Sequence, residues 1–193
     1  MKKELSLLLA TNYLNWFSAG LLIPLYALFV LSLGGTPVDA GLTLGALYLE
    51  AGVLIIVFGK LGDNFDKRKL VVAGYFISAI AFMSFYFVQN VGQLYFSQFL
   101  NALGIGVLFP AWKAVYSTLQ DAGKEASEWA WFDGGNYIVW AIASLAAGLV
   151  YDYAGFGGLF ALMAGTQLAG ALISLKLLFP KASSKPLKAK SRK

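Results

Sequence analysis

Cysteine and histidine are both absent from this chain. Their absence excludes disulfides, thiolate nucleophiles, Cys/His zinc sites and imidazole proton relays. Charge is scarce as well: Asp, Glu, Lys and Arg make up 13% of the residues, against about 25% in a soluble domain. Apolar residues take their place, 59% hydrophobic and 16% aromatic, with a mean hydropathy of +0.67. That balance describes a chain whose solvent is the lipid bilayer. The net charge of +5 does not point to nucleic acid, because the cations sit at the ends of apolar runs and in the C-terminal tail. No Gly-x4-Gly-Lys-Ser/Thr phosphate loop occurs, and no nucleophile is paired with a base. The chain is therefore not read as an enzyme, and neither a cofactor nor a metal is expected.

The apolar runs are long. A spanning helix needs about 20 mainly apolar residues, and the sequence predicts six spans near 5–33, 40–58, 69–90, 93–119, 134–153 and 157–179. The first run is too long for the core of a cleaved signal peptide, so it is read as a span. Gly34-Gly35-Thr36-Pro37, Asn90 to Gln93 and Gly155-Phe156-Gly157-Gly158 break the chain on one side. On the other side lie Lys2 and Lys3, Lys60 with Lys67-Arg68-Lys69, Lys124, and the basic residues after 180. The first three loops contain no Lys or Arg. Because basic loops stay cytoplasmic, both termini are expected inside, with the protein in the plasma (inner) membrane. A six-span domain over 1–180 is expected, followed by a disordered basic tail over 181–193 lying against anionic headgroups.

An internal echo divides the six spans into two sets of three. Asn101, Gly106 and Pro110 lie 86 residues after Asn15, Gly20 and Pro24, and Gln98 lies 86 after Asn12. Gly59-x3-Asp63 recurs 89 residues later as Gly148-x3-Asp152. Units of three spans sit in the membrane with opposite orientation. The expected fold class is therefore an all-α membrane protein of two inverted three-helix repeats.

The turn Gly59-Lys60-Leu61-Gly62-Asp63-Asn64-Phe65-Asp66-Lys67-Arg68-Lys69 resembles the signature loop between the second and third spans of the major facilitator superfamily. Asn64 stands where a basic residue is usual and Asp66 where glycine is usual. The Arg that often marks span 4 of the family is missing; Gln98 and Asn101-Ala102-Leu103-Gly104-Ile105-Gly106 occupy that region. Typical members have two six-span halves, and this chain resembles one N-terminal-type half. The resemblance implies transport of a small solute by alternating access, after pairing with a second copy or a different six-span half. A non-transporting scaffold or accessory subunit, and one half of a split transporter, stand as the alternative readings.

Candidate site residues follow. The resemblance implies that spans 1 and 4 line the central cavity, which makes the amides Asn12, Asn15, Gln98 and Asn101 substrate-binding candidates, joined by Asn136 and Trp140 in span 5. Interhelical hydrogen bonding is the competing role for the amides. Glu50 falls at mid-depth in span 2, either as a proton or cation site or as a neutral acid hydrogen-bonded between helices. Lys113, near the inner end of span 4, is expected to snorkel to the headgroups. Gly59, Asp63, Lys67 and Arg68 take the gating role that the resemblance implies for the signature loop. Gly45 and Gly52 on span 2, with Ala141, Ser144, Ala147 and Gly148 on span 5, form smooth helix-packing faces. The resemblance implies that spans 2 and 5 meet their counterparts in the second half, so these faces are expected between two copies. The expected partners are lipid and a small solute, with proton coupling through Glu50, and no nucleic acid.

Overall fold

A computed structural model describes residues 2–179; the basic tail lies outside the described residues. Among the described residues there are helices and turns and no strand. Helix α1 (Lys3–Leu22) passes through a 3-10 turn, Ile23–Leu25, into α2 (Tyr26–Ser32). Then come α3 (Pro37–Gly62), α4 (Lys67–Ser84), α5 (Val91–Leu119) and α6 (Glu125–Ser174). Pro24 lies in the 3-10 turn, where its missing N–H interrupts the α-helical ladder between α1 and α2.

The boundaries are written in local chemistry. Gly34 takes φ 77°, a backbone conformation that costs glycine nothing. It closes α2 by donating to the Leu31 carbonyl at 3.0 Å while Gly35 donates to Val30 at 3.0 Å, the paired bonds of a Schellman C-cap. Thr36 then opens α3 through a reciprocal capping box with Asp39, with Pro37 in the first turn. Asp66 caps α4 by accepting from the Arg68 amide at 2.9 Å, and Asn90 caps α5 by accepting from the Gln93 amide at 2.9 Å. Asp66 has φ −65° and ψ 113°. Its place in the turn therefore asks for a cap rather than for glycine's left-handed freedom.

Five helical stretches among the described residues are long and apolar enough to cross a membrane. The fifth, Glu125–Leu178, has 54 residues and would run about 80 Å if straight, against a hydrocarbon core of about 30 Å. It is not straight. Gly155, at φ 63° and ψ −165°, leaves the helical region. Ser18 Oγ lies 2.7 Å from Thr166 Oγ1, and a Cβ on Gly20 would lie 2.9 Å from the Ala143 Cβ. Residues 143 and 166 thus flank the same turn of α1, although a straight helix would hold them about 35 Å apart. Helix α6 doubles back at Gly155 into two arms, 125–154 and 156–174. The break expected over four residues is concentrated in one.

The loops collect at two ends. At one end Lys2 Nζ donates to the carbonyls of Leu119 at 2.9 Å and Gln120 at 3.0 Å, at the C-terminus of α5. Arg68 reaches Glu4 and the carbonyl of Leu177 at the same end. At the other end a Cβ on Gly35 would lie 2.9 Å from Val91, and Phe29 packs on Phe156 and Phe160 with ring centroids 5.0 and 4.8 Å apart. Each such aromatic pair is worth about 0.5–1.5 kcal/mol beyond its buried area. Separate apolar clusters fill the two ends, one around Leu8, Tyr75, Trp112 and Tyr116, the other around Leu21, Phe29, Phe85 and Phe160.

Candidate functional site

Two cavities lie along α1 and α5. The larger, of about 330 Å³, is bounded by residues of α1, α3, α4, α5 and both arms of α6. The smaller, of about 250 Å³, is bounded by α1, α5 and the first arm of α6. Trp16 and Trp140 line both, and their rings meet at 4.9 Å between centroids. This aromatic pair marks the division between the two spaces.

The five amides singled out in the sequence all line these cavities, in two groups. Asn15, Gln98 and Asn101 line the larger. Asn12 and Asn136 line the smaller, where Asn12 Nδ2 donates to Asn136 Oδ1 at 2.7 Å. Asn12 and Asn15 share a helix face by spacing, yet the tryptophan pair assigns them to different spaces. Gln98 is almost fully buried and donates through Nε2 to the Tyr26 hydroxyl at 2.9 Å. Tyr26 donates to Thr43 Oγ1 at 2.6 Å, and Thr43 donates to the Asp39 carbonyl at 2.7 Å.

Glu50 does not line either cavity. On α3 the cavity side carries Leu44, Leu47, Tyr48, Ala51 and Ile55, and helical spacing puts Glu50 on the opposite flank of the stripe that meets α5. Its Oε2 is buried without a hydrogen-bond partner among the described residues. Lys113 is exposed and lines the smaller cavity together with Asp133. Sequence reasoning passed over Asp133. It also passed over Trp16, Tyr26 and Phe109, which sit in apolar runs with nothing in their spacing to separate a cavity wall from a lipid-facing ring.

The signature turn has a defined structure. Lys67 donates to the Gly62 carbonyl and lies 3.8 Å from Asp63. Arg68 forms an ion pair with Glu4 at 2.9 Å and donates to the Leu177 carbonyl at 3.1 Å. One guanidinium thus joins the start of α1, the start of α4 and the end of the last helical stretch. Asp63 is largely exposed. Gly59 lies against Pro110 of α5, with 3.7 Å from its built Cβ to the proline.

The packing faces divide as well. A Cβ on Gly41, Gly45, Gly52 or Gly148 would meet no atom within 4 Å, so no helix among the described residues packs there. Ala147, expected on the same smooth face, is fully buried in the chain's own core. Ala141, Ser144 and Gly148, at spacings of three and four, remain as the outward stripe of the first arm of α6.

Comparisons with known proteins agree with this architecture. The family model of the Major Facilitator Superfamily matches residues 5–193. The multidrug resistance protein MdtG of Salmonella heidelberg (strain SL476) is 29% identical over 175 residues, covering 86% of this chain and 42% of that protein. The multi-drug resistance efflux pump PmrA of Streptococcus pneumoniae serotype 4 is 27% identical over 156 residues, 79% of this chain and 39% of the pump. The uncharacterized MFS-type transporter YitZ of Bacillus subtilis (strain 168) is 24% identical over 135 residues, covering 79% of its length. Among solved structures, the POT family transporter PepTSo superposes with a TM-score of 0.71 at 16% identity, over 96% of this chain and 40% of that one. The chain thus spans about two fifths of the two drug-resistance relatives, and its helical fold is that of a larger transporter's part. On the family match and these relatives together, the chain belongs to the Major Facilitator Superfamily.

Proposed function

We propose that the chain moves a small organic solute across the membrane by alternating access, acting as one six-span unit that pairs with a second. In this reading the two arms of α6 cross separately, giving six crossings, and the end holding Lys2, Arg68 and Leu177 faces the cytoplasm of an inner-membrane protein with both termini inside. The observation that carries the proposal is the larger cavity: amides from α1 and α5 line it, and Gly52, whose own face is bare, borders it. A helix seated on that face would complete the wall.

The inverted repeat gains support from a reciprocal contact. Gly20 of span 1 meets Ala143 of span 5, and Gly106 of span 4 meets Leu54 of span 2. Gly20 and Gly106 are separated by the 86-residue offset, and Leu54 and Ala143 by the 89-residue offset. Two packing contacts thus obey the same relation that the sequence echo states.

Gating by the signature turn rests on the Arg68 contacts, which hold three helix ends together on the inner side. In this reading Asp63 and Lys67 face the second unit. Proton coupling through Glu50 would act at the α3–α5 contact rather than by touching solute. It predicts that Glu50→Gln abolishes the pH dependence of uptake; unchanged dependence removes that role.

The relatives' names direct the choice of test solutes to a panel of small organic drugs. With the chain reconstituted in proteoliposomes, gradient-dependent uptake of at least one is expected. It should be lost in Asn101→Leu while thermal stability is retained. No uptake of any solute by a correctly folded, paired chain would favour the scaffold reading.

A further inference from the structure

The larger cavity has polar groups in its lining without being charged. Its lining includes no Asp, Glu, Lys or Arg. Ser78 and Gln98 are its most buried polar lining residues, each 2% exposed, and the orientation of the Gln98 amide is fixed by a relay of three hydrogen bonds.

The relay ends on a backbone carbonyl, which can only accept. Thr43 must therefore give its one hydroxyl proton to a carbonyl, that of Asp39 at 2.7 Å or of Ala40 at 3.2 Å. Having spent its proton, Thr43 can only accept from Tyr26, at 2.6 Å. Tyr26 has then spent its own proton and can only accept from Gln98, at 2.9 Å. One N–H of Gln98 is thus committed to Tyr26, and the choice between the two amide orientations follows from proton counting. Beside the amide's second N–H this leaves Oε1, an acceptor with no partner among the described residues, on a residue that is 2% exposed.

We infer that the larger cavity selects uncharged aromatic ligands that carry a hydrogen-bond donor, with Gln98 Oε1 as the acceptor and Trp16 and Trp140 as the apolar walls. This rests on reading the cavity as the solute path. A site with a buried acceptor discriminates strongly against an analogue that lacks the donor, because that analogue leaves the acceptor unpaired. The absence of a counter-charge in the lining disfavours ionised ligands, which would be desolvated without compensation.

The test uses the full chain in lipid nanodiscs and a matched pair of probes, 2-naphthol and its methyl ether, measured by equilibrium dialysis with empty nanodiscs subtracted. The naphthol is expected to bind roughly tenfold more tightly than the ether. Gln98→Leu should erase that ratio. Thr43→Val supplies an independent test, because Thr43 does not line the cavity. Without the threonine acceptor, the Tyr26 proton turns to the Gln98 carbonyl, the amide reverses and its NH₂ is offered to the ligand. The preference should then swing toward the ether, which a merely structural role for Thr43 would not produce. Equal binding of the two probes to the unaltered chain, or an unchanged ratio in Thr43→Val with thermal stability retained, overturns the inference. Paired chains with equal probe binding would remove the donor assignment and leave the transport reading intact. Retained naphthol preference in chains that never pair would do the reverse.

Discussion

Two glycine-bearing faces in this chain look alike in sequence and behave oppositely in structure. On α5, a Cβ on Gly104 would lie 2.4 Å from Ser78 Oγ and one on Gly106 would lie 2.5 Å from the Leu54 Cβ. Both are far inside contact distance, so these glycines exist because another helix occupies the space. On α3, Gly41, Gly45 and Gly52 meet nothing within 4 Å. In lipid, close helix approach comes from small residues rather than from a hydrophobic drive, so a smooth face without an occupant is a contact surface left open. The burial pattern agrees: 17% of the most apolar window of α3 is buried, against 50% in α5. The same residue type thus holds helices together in one place and leaves a face bare in the other.

The contrast breaks most sharply under substitution at the occupied face. Gly106→Ala should destabilise the chain by about 1–3 kcal/mol, the usual range for overpacking, read as a drop in the midpoint of thermal or denaturant unfolding in detergent. Gly20→Ala should act in the same direction, because its Cβ would lie 2.9 Å from both Ala143 and Trp140. An intermediate effect is expected at the end that holds Lys2 and Arg68. Arg68→Gln removes the Glu4 ion pair and the tie to Leu177 and should cost about 1 kcal/mol, since the pair is only partly shielded from solvent. The loss should shrink as salt is raised, because screening already weakens the exposed component. The smallest effect belongs to the bare face: Gly52→Ala should change the stability of the isolated chain by no more than about 0.5 kcal/mol. Gly52→Leu should leave that stability nearly as it was while weakening association in lipid. If Gly52→Ala destabilised the isolated chain as much as Gly106→Ala, the distinction between the two faces would be lost.

Much of this was legible in the sequence, for identifiable reasons. The bilayer demands long apolar runs, and the breaks at Gly34 to Pro37, Asn90 to Gln93 and Gly155 to Gly158 mark where they end. The 86-residue echo found the glycines and prolines that shape spans 1 and 4. It also carried the amides to the right helices, since unpaired polar groups are too costly to scatter through hydrocarbon. The divisions within the site were not legible. Periodicity places Asn12 and Asn15 on one face, but only the meeting of Trp16 with Trp140 separates their surroundings. Glu50 was read by depth, and depth says nothing about which flank of α3 it occupies. Lys113 and Asp133 lie on different helices, and their sharing of one cavity wall cannot be read without coordinates. Ala147 and Gly148 are neighbours in sequence, yet one closes the chain's own core and the other faces outward.

The central claim is that the bare faces of α3 and of the first arm of α6 join two units. It is tested most directly by single cysteines at Gly52 in one copy and Ser144 in another, co-reconstituted in lipid in an otherwise cysteine-free chain and exposed to a mild oxidant. A cross-linked product at twice the chain mass is predicted, reduced by Gly45→Leu and absent when the second cysteine is placed on the core-facing Ala147. No product from Gly52 and Ser144, in chains that otherwise fold normally, would contradict the account.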